Sequence, residues 1–259
     1  MADPIVVVLL VAASGLAGFV DAIAGGGGLV LLPALLIGLP ADVPIPTLLG
    51  TNKLAAISGT TAAAWRYGRE SLLDLRTAAG PVLAAMTGSA FGAHLAYGLD
   101  PTLLRPVMLV LLAGMLVFTL ARPDVGRKAE PRFAAGTGNV VASGLALVIG
   151  FYDGFFGPGT GSLLLFLYAG VLGLDFLRAS ALAKAANWGS NAAALALFLS
   201  RGSFLPLLAV LLAVANVAGG QAGARLAIAK GNAWIRRVFV IVVGALLARL
   251  AWQVVAGDS

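Results

Sequence analysis

The stretch GFVDAIAGGGG at residues 18–28 returns as GFYDGFFGPGT at residues 150–160, with Asp21 falling on Asp153. Two further echoes keep nearly the same offset. Gly88, Gly92, Leu95 and Ala96 align with Gly219, Gly223, Leu226 and Ala227, and Lys53 aligns with Lys184. Three coincidences at nearly one spacing identify a tandem duplication, which restricts the fold more than any single motif: what one half builds, the other builds again. The polar segment RPDVGRKAEPR, residues 122–132, reads as the linker, so the halves are residues 1–121 and 133–259.

Composition decides where such halves reside. Sixty per cent of the residues are hydrophobic and only 11% charged, against about 25% charged in a soluble domain. The chain cannot cover a wetted surface and reads as an integral membrane protein, with the lipid bilayer as its first partner. At roughly 20 apolar residues per span, the length allows on the order of eight to ten passes and leaves nothing for a soluble domain. The formal charge of +6 is spread over short loops, so it is a topology signal and not a nucleic-acid surface. With zero cysteines and one histidine, thiolate and histidine metal sites, disulfides and cysteine nucleophiles are excluded, and no cofactor is expected. The first apolar segment has no Lys or Arg before it and no small-residue cleavage site after it, so it is expected to stay as a helix.

Each half reads as a glycine-broken apolar stretch followed by three fuller helices. The segments are 5–20, 28–38, 47–65, 77–97 and 102–120, then 137–152, 160–173, 180–199, 204–224 and 235–255. With Arg122, Arg127, Lys128 and Arg132 of the linker in the cytoplasm, the loop bearing Arg66, Arg69 and Arg76 falls there too. If the two short pieces of the second half form a hairpin, Arg178, Arg225, Lys230, Arg236 and Arg237 lie inside and Arg201 outside; a single interrupted span reverses this. The positive-inside rule selects the hairpin. Each half then crosses five times, and an odd number inverts one half relative to the other, the inverted-repeat plan of secondary transporters. The short pieces fall below the ~20 residues of a full span, so half-helices meeting near the midplane are the other reading.

The informative residues are those that lipid does not favour. Asp21 and Asp153 end apolar pieces just before glycine-rich backbone, and an unpaired carboxylate there costs at least ~2.5 kcal/mol, so each must face protein or water. Each could cap the following short helix, take part in coupling, or both. Gly25, Gly26, Gly27 and Gly28 in the first half, and Gly157, Gly159 and Gly161 around Thr160 in the second, permit non-helical backbone at membrane depth. A short helix starting after such a break aims free N–H groups at the gap, a site for an anion. For Gly88 with Gly92 and Gly219 with Gly223, close helix packing is the preferred reading.

Lys53 and Lys184 complete the set. Each lies near the start of an apolar helix and could snorkel to the interface. Thr51 and Asn52 beside one, and Asn187, Ser190 and Asn191 after the other, instead make a polar helical face, which favours ligand contact. On that basis Lys53→Ala is expected to lose anion binding with the fold intact. His94 fits an interface better than proton coupling. The tryptophans fit interfacial anchors, except Trp188, which follows Lys184 closely.

The paired segments GFVDAIAGGGGLVLLPALL with GTNKLAAISGTTAAAWRYGR, and their weaker copies GFYDGFFGPGTGSLLLFLYAGVLG with ALAKAANWGSNAAALALFLSRG, resemble the TauE/SafE sulfite exporter family. The resemblance implies a multi-pass transporter of the bacterial cytoplasmic membrane that moves a small sulfur-containing anion such as sulfite or an organosulfonate. The family's glycine motif falls on Asp21 and Gly25 to Gly28, and its TNK motif on Thr51, Asn52 and Lys53. In the second half only the positions carry over, at Asp153, Gly157 to Gly161 and Lys184, since GPGTG replaces the glycine run and the triplet is lost. An asymmetric site follows.

The reading is therefore an all-α polytopic membrane protein of two tandem inverted repeats, binding a small anion where the glycine breaks converge and exporting it by alternating access. No covalent chemistry is expected. An anion channel could use the same helix ends, and an aspartyl dyad of Asp21 and Asp153 would define an intramembrane enzyme. The small-residue faces suit packing within one chain or between copies in a homo-oligomer.

Overall fold

A computed structural model describes residues 3–98 other than 41, 71 and 73, Val110, residues 129–231, and those between 233 and 248 other than 236, 239, 242, 243, 246 and 247. The expected helix 102–120, most of the linker and much of the expected helix 235–255 lie outside the described residues.

Eight helices carry the description: α1 (Pro4–Ala24), α2 (Gly27–Gly38), α3 (Ile45–Arg69), α4 (Leu75–Leu95), α5 (Ala135–Phe155), α6 (Thr160–Leu172), α7 (Phe176–Ser200) and α8 (Pro206–Lys230). Among the described residues there is no strand. Their ends follow local chemistry. Asp3 accepts the Ile5 N–H at 2.8 Å ahead of Pro4 and starts α1, and Asp74 and Asp175 do the same for α4 and α7; proline opens α8. These are the residue types that satisfy or remove the orphan N–H groups of a first turn.

Helices α1, α5 and α8 are long and apolar enough to cross a membrane. Helices α3 and α7, 25 residues each, are long enough as well but carry the polar face noted above. Helices α2 and α6, with 12 and 13 residues, reach only about 18–20 Å at 1.5 Å per residue, short of a ~30 Å hydrocarbon layer.

The helices pack in a pattern that survives exchange of the two halves. Helix α1 lies on α8 as α5 lies on α4, α3 touches α8 as α7 touches α4, and α3 meets its counterpart α7 directly. Small residues make these approaches close. A Cβ on Gly88 or Gly92 of α4 would run into the backbone carbonyls of Leu147 and Phe151 in α5, and one on Gly219 or Gly223 of α8 into those of Gly15 and Phe19 in α1. Backbones this near suit membrane helices, which associate through contact and not through exclusion of water. The result buries the two chain breaks and the faces of α3 and α7 that carry Lys53 and Lys184.

Candidate functional site

Helix α1 stops because Gly25 adopts a left-handed conformation, φ 78°, and donates its N–H to the Asp21 carbonyl at 2.8 Å. Two residues later α2 begins. In the second half α5 ends at Phe155, and α6 starts after Gly159, also left-handed at φ 83°. The two breaks touch. Ser162 donates its N–H to the Gly25 carbonyl at 3.1 Å and its hydroxyl to the Ala24 carbonyl at 2.7 Å, and Gly25 and Gly161 are so close that neither has room for a Cβ. Tyr67 donates to the Ala22 carbonyl at 2.9 Å and Tyr152 to that of Pro158 at 2.6 Å. Side chains thus occupy carbonyls that the breaks release, as an environment without water requires.

Lys53 and Lys184 are each the ninth residue of their helix, counting from Ile45 and Phe176, which places them ~12 Å along it. They are only 2% and 1% exposed, so neither snorkels. Each instead meets the carboxylate of the other half: Lys53 Nζ lies 2.6 Å from Asp153 Oδ2, and Lys184 Nζ 2.7 Å from Asp21 Oδ2. The pairs cross between the repeats.

Further contacts hold the carboxylates. Asp21 Oδ2 accepts from the Thr60 hydroxyl, and its Oδ1 accepts from the Gly27 N–H, both at 3.4 Å. Asp153 Oδ1 accepts from the Thr160 hydroxyl at 2.7 Å. Capping is therefore a minor part of what the aspartates do: Asp21 reaches the first turn of α2 only at long range, and Asp153 reaches α6 through a side chain. Their main partners are the lysines.

Between the pairs lies a cavity of about 20 Å³, room for roughly one water. Gly25, Gly27 and Gly28 line it from one break and Gly157, Gly159 and Gly161 from the other. Asp21, Asn52, Lys53, Asp153, Thr160 and Asn187 complete most of its polar wall. The Asn52 carbonyl oxygen is buried there without a hydrogen-bond partner.

Three expected site residues are not in the lining. Gly26 packs near Val20, Leu29 and Ser162. The Thr51 hydroxyl faces elsewhere, donating to the Thr47 carbonyl at 2.7 Å and accepting the Leu205 N–H at 3.0 Å. Lys184 stands behind Asp21 and reaches the cavity only through that carboxylate. Conversely, Asn191, expected only as part of the polar face of its helix, and Asn216, not expected at all, line the cavity. Asn216 is a single amide in the apolar run VLLAVANVAGG, a signal that the duplication argument passed over because Ala85 stands at its match. It donates to the Ser14 carbonyl at 3.0 Å and fits against Gly18 and Gly59. His94 is remote from the cavity, beside Arg201 at 3.2 Å. Trp188 is turned away from it as well, bonding Thr61 at 2.9 Å along an apolar groove between α3, α4 and α7.

A multi-pass helical chain with compensated charge buried where two backbone breaks meet is built as a membrane transporter. The chain belongs to the sulfite exporter TauE/SafE family, whose pattern matches residues 10–250. Curated relatives carry the broader name. It is 36% identical over 241 residues to "Probable membrane transporter protein ORF9" of Sinorhizobium sp, covering 93% of this chain and 90% of that one. It is 33% identical to a "Probable membrane transporter protein" of Haemophilus influenzae, covering 92% and 91%, and 32% identical to "Probable membrane transporter protein YfcA" of Escherichia coli K12, covering 98% and 92%. No solved structure matches the chain.

Proposed function

We propose that this chain is a secondary transporter of the bacterial cytoplasmic membrane that exports a small sulfur-containing anion, sulfite or an organosulfonate, by alternating access. One observation carries the reading: two buried lysines, one from each half, flank a polar cavity at the point where the glycine breaks meet. The Lys53 ammonium and the Asn52 and Asn187 amides, with the first turns of α2 and α6 opening beside them, form a donor set suited to an oxyanion, and Lys184 adds its charge from behind Asp21. The family name supports the substrate class and export, and the names of the relatives support transport.

Movement of one repeat against the other is the natural way to open this centre. The cavity as it stands is too small for an oxyanion, so the ion pairs must separate to admit one. The exchangeable packing of the two halves supports an inverted-repeat reading, with the linker in the cytoplasm. No enzyme is proposed. A carboxyl dyad requires two acids sharing a proton, whereas here each aspartate is held by a lysine.

Thermal unfolding of the detergent-purified protein with sulfite, sulfate, sulfoacetate, taurine, a carboxylate analogue and chloride tests this. Selective stabilisation by one or two sulfur oxyanions is expected, since a ligand of the native state raises its stability with concentration over affinity. Saturable, counterflow-stimulated flux of the same anion from proteoliposomes should follow. Stabilisation by none of the anions, or only by cations or neutral solutes, would sink the anion assignment.

A further inference from the structure

We propose, resting on the reading of the cavity as an anion site, that the bound anion replaces the Asp153 carboxylate on Lys53, and that the displaced carboxylate takes a proton, so anion and proton travel together. The cavity wall contains Asp21, Lys53 and Asp153, with Lys184 directly behind Asp21. Two positive and two negative groups sum to zero. The rest of the lining described is amide, hydroxyl, glycine and apolar. An added anion would therefore leave one uncompensated negative charge in a buried space, where such a charge is strongly disfavoured.

Space leads to the same place. A cavity of about 20 Å³ holds about one water, so an oxyanion can reach Lys53 Nζ only by moving the carboxylate that sits 2.6 Å from it. Lys53 itself lines the cavity and Lys184 does not, which makes the Lys53–Asp153 pair the one a monovalent anion meets first.

A neutral acid has somewhere to go. Asp153 Oδ1 already accepts from the Thr160 hydroxyl at 2.7 Å, a bond that survives protonation of the other oxygen. The new O–H needs an acceptor, and the Asn52 carbonyl oxygen is an unpartnered, buried acceptor in the wall of the same cavity. An anion cannot satisfy that oxygen, because both are acceptors. A protonated carboxyl can.

The step balances. One proton from water adds to Asp153 Oδ2, the lysine stays an ammonium, and the anion becomes its counter-ion; on release the proton leaves and the pair re-forms. The groups that face Asp153 are Lys53 from α3, Thr160 from α6 and, on its own helix, Tyr152, whose hydroxyl is engaged by Pro158. Asp21 is faced by Lys184 from α7, Thr60 from α3 and the Gly27 N–H, with Lys53 and Tyr67 of α3 nearby. From α8 the cavity receives the Asn216 amide.

Isothermal titration of the full chain with 2-hydroxyethanesulfonate, methanesulfonate and sulfate tests the exchange, because the charge of each is constant around neutral pH. Runs in two buffers of different ionisation enthalpy count the protons directly. Uptake of about one proton per monovalent anion is expected, with affinity rising about tenfold for each unit the pH falls. Asp153→Asn should bind with that uptake abolished and the pH slope flattened, and if the variant misfolds the wild-type proton count still decides. Binding with no proton uptake would overturn the exchange and leave the anion site standing. Failure of every sulfur anion to bind or stabilise would remove the site itself, and the exchange with it.

Discussion

Gly25 and Gly26 are neighbours of one residue type in one motif, yet their environments differ sharply. Gly25 has a positive φ and lies against the Gly161 backbone, whereas the nearest atoms to a Cβ on Gly26 stand at an ordinary 3.6 Å. Gly25→Ala should cost well over the ~1–2 kcal/mol of a left-handed residue, because a steric overlap adds to it. Gly26→Ala should change the melting temperature little. Unfolding curves of the two purified variants compare them directly, and equal losses would contradict the contact between the breaks. A double-mutant cycle addresses the ion pair. Lys53→Met or Asp153→Asn alone leaves a buried charge unmatched and should destabilise by about 3–5 kcal/mol, while the double variant should be much less affected than the sum. The earlier expectation that Lys53→Ala leaves the fold intact is revised accordingly. Sequence identified the four charged residues as anomalies at depth, because charge inside an apolar run is visible locally. It could not pair them: Lys53 and Asp153 are a hundred residues apart, and no local pattern joins a lysine of one half to the aspartate of the other.

At the scale of the element, the eight described helices were legible to within about six residues at each end, since long apolar runs punctuated by Pro, Gly and Asp give strong start and stop signals. The unreadable part was how released backbone is satisfied. Ser162 illustrates this, because nothing in GPGTGSLLL marks that serine as the donor to the Ala24 carbonyl. Ser162→Ala should destabilise by about 1–2 kcal/mol, the cost of a buried acceptor left bare, and a melting curve that did not move would show the contact to be dispensable. Packing glycines were legible as small-residue patterns, although their partners were not. Gly92→Leu would drive a side chain into the Phe151 carbonyl. It should abolish well-folded protein in size-exclusion chromatography, whereas a leucine at exposed Ala90 of the same helix should be tolerated.

For the whole molecule, orientation is the property to measure. The chain contains zero cysteines, so single cysteines introduced at Arg69, Arg201 and Lys230 report membrane side without background. The positive-inside argument expects Arg69→Cys and Lys230→Cys to label from the cytoplasmic face and Arg201→Cys from the opposite one. Labelling of Arg201→Cys and Lys230→Cys from one face would defeat the topology on which the inverted repeat rests. The repeat itself was visible in the sequence because Asp21, Asp153 and the glycines around them retain a common offset. Its asymmetry was only partly visible: GPGTG announced a changed break, while the Asn216 amide, facing both Gly18 and Gly59, has no equivalent in the first half.

The crossed ion pairs also bear on descent. After a duplication, two copies are normally free to drift apart, and one can decay while the other keeps the original task. Here each copy holds the counter-charge that its sibling needs, so the loss of an aspartate from one strands a lysine in the other. Purifying selection must then act on the two copies as one heritable unit, and a lineage that discarded either half would inherit a remnant with its charges unanswered.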